Sequence, residues 1–451
     1  MRCLHIFGSN RLRQKNVRGG ATSTLRKTPN YVDVAPCWTH IRQNFVEYPL
    51  SDAKMLHYLR FSNFYSFLDE VEISFSMDGR SSPNEKSCKS SVDDKRISKI
   101  MAVVGANGAG KTNAIKPFAF LTWFISRSFQ IEKDQQLYVR PHFLSKSDIS
   151  VFELEFEISG RLFKYNLSTT HTKVYFEALH EKTSRLWSNL FTREWQEETS
   201  SYDIKQRGFG FDSRLAAKTK KNSSLISTAV QHEVEIASMI AEELKKVQSN
   251  ISSFGRNSFQ GFSDVMDVTS FYEKNEDHRV SMKKLLSQWD FGLSDIVIQS
   301  FKNVDHEGNE YEYLMPFGVH VHDGKEFQMP LMAESSGTQA AYFLLTKLLP
   351  VLSSGGIVIY DELEGDLHPH MLENILELFF NPRSNPHNAQ IIFTTHSIEV
   401  LNDLQKCQIL LVEKSQGVSD AWRLSEMAGV RSDDNFYAKY MSGTYGAVPH
   451  L

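Results

Sequence analysis

The octapeptide Gly105-Ala106-Asn107-Gly108-Ala109-Gly110-Lys111-Thr112 constrains this chain more than any other segment. It satisfies the pattern GxxxxGK[ST] at every fixed position, and each of those positions answers a physical need. Glycines let the backbone curl so that successive N–H groups point at phosphate oxygens, and the helix that follows adds the positive end of its dipole. Gly105, Ala106, Asn107, Gly108, Ala109 and Gly110 make the cradle, Lys111 reaches the terminal phosphates, and the Thr112 hydroxyl is placed to ligate magnesium. The run Ile100-Met101-Ala102-Val103-Val104 is apolar throughout, as a buried strand is, and it delivers the chain directly into Gly105.

Such a loop needs carboxylates to hold the metal and to polarise water. Ile357-Val358-Ile359-Tyr360-Asp361-Glu362 is an apolar strand ending in two acids. Alone it reads as a strand running out into solvated carboxylates. Beside the loop, Asp361 becomes a magnesium ligand and Glu362 the group that polarises the attacking water. His396 follows the strand-like Ile391-Ile392-Phe393-Thr394-Thr395, at a strand's carboxyl end where open parallel sheets bind ligands, and it is read as a contact to the γ-phosphate rather than as a solvated histidine. Glu334-Ser335-Ser336-Gly337-Thr338-Gln339 offers hydroxyls and free N–H groups ahead of a helix, which by itself is only an N-cap.

The chain has 451 residues, 41% of them hydrophobic, so one large core or two moderate ones can form. Its longest apolar run, near 117–125, is broken by Thr122 and is too short to span a bilayer, which excludes an integral membrane protein. The four cysteines, Cys3, Cys37, Cys88 and Cys407, form no CxxC pair and have no histidine at ligand spacing. A zinc site and a disulfide framework are both disfavoured, and a reducing, cytoplasmic setting is expected. The net charge of −4 hides an asymmetry, because residues 1–54 carry nine Lys or Arg against three Asp or Glu. That segment reads as a disordered or mis-annotated leader, with a transit peptide or nucleic-acid arm as the other possibility.

Period-2 and apolar patterning predicts strands at 56–61, 71–75, 100–104, 151–158, 162–167, 173–179, 357–360, 390–394 and 408–413. Helices are predicted at 229–247, 280–289, 337–351 and 370–380, a Ser/Gly/Phe-rich stretch at 249–272 separates the first two, and residues 77–96 read as a solvated loop. The expected organisation is a leader over 1–54, an amino-terminal lobe with the phosphate loop over 55–180, a mainly helical insertion over 181–300, and a carboxyl-terminal lobe over 301–451. Strands alternating with helices in the last third imply a largely parallel sheet and an α/β fold.

The order of these motifs, loop Lys111, then Ser336-Gly337, then Asp361-Glu362, then His396, resembles the ABC-type ATPases of the SMC, RecF and OLD group. Asn63-Phe64-Tyr65-Ser66-Phe67 looks like that group's NFxSF segment, and Glu364-Gly365-Asp366-Leu367-His368-Pro369 looks like its D-loop. The ending Tyr440-Met441-Ser442-Gly443-Thr444-Tyr445-Gly446-Ala447-Val448-Pro449 resembles the YxxGxYGAxP tail of stand-alone bacterial AAA-family ATPases of the abortive-infection (AbiL, RloA-like) kind.

The resemblance implies a two-lobed ABC/SMC-like head with a helical insertion. It also implies ATP and Mg2+ at a head-to-head homodimer interface, where Ser336 and Gly337 complete the partner's site. Thr338 stands where a second glycine is usual, and no clear Q-loop glutamine is present, Gln135 and Gln136 being the candidates.

The function so implied is a sensor or switch in phage defence that controls a separately encoded effector of nuclease type. The residues after His396 are too few for the nuclease domain of OLD proteins. An alternative is a RecF- or SMC-like clamp on DNA, to which Lys218, Lys220, Lys221, Lys245 and Lys246 would contribute. A transporter subunit would need the Q-loop that is not evident.

Overall fold

A computed structural model describes residues 54–77, 85–252, 255–257, 261–289, 291–304 and 308–449. The expected leader therefore lies outside the described residues up to position 53. Lys54, the first residue described, pairs with Glu243 at 2.6 Å.

The molecule is α/β, built on two large sheets. The central sheet runs in the order Gln248–Ser249, Ile357–Tyr360, Gln390–Thr394, Ile100–Val104, Ile409–Ser415, Val418–Arg423. Every pairing is parallel except the closing hairpin. The strands Ile100–Val104 and Gln390–Thr394 are buried at every position, which is why both read as continuous apolar runs. The order places the loop strand beside the strand that leads to His396, and that strand beside the one leading to Asp361. The carboxyl ends of all three therefore meet, where parallel sheets gather their ligands.

The second sheet has seven antiparallel strands. Val71–Ser74 forms one edge beside Met55–Ser62, and a meander of Ser150–Ile158, Arg161–Thr169, Val174–Lys182, Trp187–Gln196 and Ser201–Gln206 completes it. The meander runs on past residue 180 to Gln206, so the first part of the segment expected to be helical is strand. Those last two strands escaped notice because the final one is exposed or half-buried at every position and offers little apolar alternation. Helices begin after them, at Ser213–Ala216, Leu225–Val230 and Glu235–Lys245, and resume at Phe262–Lys274 and Glu276–Gln288. A further antiparallel sheet of Asp295–Val304, Glu310–His322 and Lys325–Pro330 also went unpredicted, its outer residues being largely exposed.

The loop helix Lys111–Arg127 packs against Leu225–Val230, Glu235–Lys245 and the central sheet. It buries Ala114, Ile115, Phe118, Leu121, Phe124 and Ile125 completely. Burial of its isoleucine, leucine and phenylalanine side chains contributes about 1.5–3 kcal/mol each, which fixes the helix behind the loop. Thr122, the polar interruption, donates to the Phe118 carbonyl at 2.9 Å and so enters the core satisfied. Among the described residues no helix is long and apolar enough to cross a membrane.

Candidate active site

The phosphate loop is held from three directions. A Cβ on Gly105 would lie 2.1 Å from the Val412 carbonyl oxygen, so only glycine fits where the chain leaves its strand. Gly110 sits at φ 116°, and a Cβ there would lie 2.6 Å from Ser419 Oγ. Ser419 Oγ donates to the Ala109 carbonyl at 2.6 Å, and Asn113 Nδ2 donates to Ser66 Oγ at 3.0 Å. The Ala106 N–H donates to the Ala447 carbonyl at 3.1 Å, and Ala447 is itself held by Tyr440 Oη at 2.8 Å. The NFxSF-like segment and the carboxyl-terminal tail, read from sequence as family marks, thus brace the loop.

Gly110 is the N-cap of the loop helix and offers no side-chain cap, which leaves first-turn N–H groups for an anion. Lys111 Nζ donates to the carbonyls of Gly105 at 2.9 Å and Ala106 at 3.2 Å, spanning the loop from inside. Burial lowers its pKa, and Asp361, Glu362 and Glu364 oppose that fall.

The acid pair joins the loop through one hydroxyl. Thr112 Oγ1 donates to Asp361 at 2.9 Å from a position 249 residues away in the chain. Thr394 Oγ1 also donates to Asp361, at 2.7 Å, while accepting the Glu362 N–H at 2.7 Å. Asn250 pairs with the Asp361 backbone in both senses, accepting its N–H at 2.7 Å and donating to its carbonyl at 2.9 Å.

Asp361 is buried, whereas the Glu362 side chain is 40% exposed. Glu362 also adopts a left-handed backbone, φ 54°, which turns its side chain away from the strand's path. Two adjacent carboxylates therefore occupy two environments. Glu362 Oε2 lies 2.5 Å from Arg256 Nη1, and Oε1 lies 3.9 Å from His396 Nε2. The His396 N–H in turn donates to the Glu364 carboxylate.

Ser336 and Gly337 open a helix of their own. Ser335 Oγ caps the helix Ser336–Ser354 by accepting the Thr338 N–H at 3.1 Å. A Cβ on Gly337 would lie 3.1 Å from the Asp366 carbonyl, so the signature packs on the D-loop-like segment. Ser336 shares a cleft of about 390 Å3 with Arg256, Glu362 and Asp366.

Gln135 and Gln136 lie elsewhere, in a loop where Asn222 Nδ2 donates to the Gln135 carbonyl and the Leu137 N–H to the His171 carbonyl. Two residues reach the acid pair from the region between loop and signature, Arg256 at the Glu362 carboxylate and, on the Asp361 backbone, Asn250. It follows a two-residue edge strand in a polar stretch that carries no apolar period, so sequence gave no signal for it.

Of the lysines singled out for DNA, Lys220 donates to the carbonyls of Phe129 and Ile131, both at 2.6 Å. Lys245 and Lys246 pair with Glu242 and Glu243, each at 2.8 Å. These cations are engaged within the chain.

The profile of a family described as "AAA domain, putative AbiEii toxin, Type IV TA system" matches residues 100–402, a span that takes in the loop, the signature, the acid pair and His396. The protein ea59 of Escherichia phage lambda is 24% identical over 215 residues, 45% of this chain and 40% of that protein. The chain thus spans two fifths of that relative's length. Among solved structures, the SMC head domain from Thermotoga maritima is similar over 82% of this chain and 98% of that one, with 13% identity and a TM-score of 0.39.

Proposed function

We infer that this chain, which belongs to the family described as "AAA domain, putative AbiEii toxin, Type IV TA system", binds and hydrolyses ATP with magnesium. The observation that carries the reading is the contact of Thr112 with Asp361 at 2.9 Å. Two oxygen donors from distant motifs converge beside a loop of phosphate-cradling shape, and hard oxygen ligands suit magnesium. Asp361 and Thr112 would hold the ion. When bound, it neutralises charge on the phosphate oxygens.

The chain's own residues supply the rest. Loop N–H groups and the loop helix orient the triphosphate, and Lys111 transfers its donors from the Gly105 and Ala106 carbonyls to the phosphates. Glu362, exposed at the strand's end, accepts a proton from the attacking water. His396, 3.9 Å from that carboxylate, faces the terminal phosphate. The exposed signature Ser336 completes the site of a second copy in a head-to-head dimer.

The biological reading is a switch in a bacterial abortive-infection system, coupled to a separately encoded effector. Its support is the family's description and the YxxGxYGAxP-like tail, which braces the loop through Ala447.

The test is Mg-dependent ATP hydrolysis by wild type, Lys111→Ala and Glu362→Gln, with and without duplex DNA at two salt concentrations. Lys111→Ala should lose nucleotide binding. Glu362→Gln should keep binding and lose about 10²–10⁴-fold in turnover, the usual contribution of a general base. Wild-type rates in both variants would sink the assignment. Stimulation by DNA that fades with salt would replace the effector reading with a DNA-binding one.

A further inference from the structure

Glu362 is held by an arginine. Arg256 Nη1 lies 2.5 Å from its Oε2, and a Cβ on Gly365 would lie 3.1 Å from that same nitrogen, so the guanidinium rests against bare backbone that a side chain would crowd. The element that brings Arg256 there also holds Asp361. Strands Ile251–Ser252 and Gly255–Arg256 pair antiparallel. The Asn257 N–H donates to the Asn250 carbonyl at 2.7 Å and closes the hairpin's base, from which Asn250 grips the Asp361 backbone. The hairpin's base therefore fixes the first acid through one strand and engages the second through the other.

A carboxylate that is to take a proton from water must present a free lone pair to that water. The guanidinium occupies Oε2, and the His396 ring lies 3.9 Å from Oε1, beyond hydrogen-bond distance, so Arg256 is the group that fixes where the carboxylate points. The side chains of Arg256 and Glu362 are 37% and 40% exposed, so the pair is of the weak, solvent-screened kind that opens and recloses readily.

We propose that Arg256 is a positioning residue that restrains Glu362 with ATP bound as well as without it, holding the carboxylate away from the attacking water for part of each cycle. The arginine thereby sets the basal turnover. This rests on the reading of Glu362 as the proton acceptor.

The experiment is steady-state ATP hydrolysis with magnesium by wild type, Arg256→Ala, Arg256→Gln, Arg256→Lys, Glu362→Gln and the double variant Arg256→Ala/Glu362→Gln, with folding checked by circular dichroism. Removing an exposed ion pair should raise kcat about two- to fivefold in Arg256→Ala and Arg256→Gln, with KM for ATP unchanged. Arg256→Lys, which keeps the cation, should stay near wild type, and the double variant should be as inactive as Glu362→Gln.

If both neutral variants show an unchanged or lowered kcat, Arg256 does not restrain the base and the proposal falls. A rise that survives in the double variant also overturns it, because Arg256 would then act somewhere other than on Glu362. A Glu362→Gln variant with wild-type turnover would instead overturn the underlying assignment of Glu362, and is recognisable without any Arg256 variant.

Discussion

Thr394 shows how one hydroxyl organises two carboxylates. It donates to Asp361 and accepts the Glu362 N–H, each at 2.7 Å, so replacing it strands an acceptor and a donor together. Thr394→Val keeps the shape and removes the oxygen. Leaving buried partners unsatisfied costs roughly 1–3 kcal/mol, and that loss should be seen in urea unfolding, together with a fall in ATP turnover. Thr394→Ser should restore both, and a valine variant with wild-type stability would remove the hydroxyl from the account. Sequence did not reveal this role. Asp361, Glu362 and His396 were legible because each ends an apolar run beside a recognisable loop. Thr394 and Asn250 were not, since their importance comes from neighbours 33 and 111 residues away that only the folded sheet brings near. Arg256 was hidden for the same reason.

At the scale of elements, strands buried on both faces announced themselves, and Ile357–Tyr360 and Gln390–Thr394 have the limits their apolar runs predict. Strands with an exposed face did not, as in Ser201–Gln206 and the sheet of Asp295–Pro330. Another local feature invisible in sequence is the bulge that places His57. The register of Met55–Ser62 against Ser150–Ile158 shifts between Leu56 and Tyr58, and His57 falls at that shift. Its ring lies 3.2 Å from Glu157 and 3.6 Å from Glu155, all buried.

Burial opposes charge on His57, yet the neighbouring Glu155 carboxylate and the hydrogen bond with Glu157 outweigh it and raise its pKa above the ordinary 6.5. A raised histidine contributes stability fully below its unfolded pKa and loses that contribution as pH climbs through the folded value. For Glu155 and Glu157, burial pushes the pKa up, but the His57 ring beside both and further contacts prevail and lower it, so their contribution fades on the acid side. The network should therefore be strongest between about pH 4.5 and 6.5, the unfolded values of its members. Urea unfolding of wild type and His57→Gln at pH 5.5, 7 and 8.5 should show the wild-type advantage shrinking as pH rises. An advantage that grows would mean the histidine is neutral in the fold.

For the whole molecule, the separation of Ser336 from the loop has a consequence. The loop, Asp361, Glu362 and His396 assemble within one chain, but the signature hydroxyl is exposed and packs through Gly337 on the D-loop-like segment instead. An exposed serine in the first turn of the 19-residue helix Ser336–Ser354 presents N–H groups and a positive dipole end to whatever approaches. In the proposed dimer that visitor is the triphosphate held by a second copy. Slow hydrolysis should then lock the pair, so Glu362→Gln with Mg-ATP should sediment as a dimer while the nucleotide-free protein does not. Ser336→Glu places a carboxylate where the partner's triphosphate would dock, and like charges at contact distance repel strongly once water is excluded. Combined with Glu362→Gln, it should abolish the ATP-driven dimer yet leave ATP binding by each monomer intact, because no loop contact is altered. Sedimentation velocity and nucleotide binding measured on the same samples separate the two effects. If the combined variant still dimerises with ATP, the signature does not face the partner's nucleotide. If Glu362→Gln never dimerises although it binds ATP, hydrolysis belongs to the single chain and the head-to-head arrangement must be abandoned.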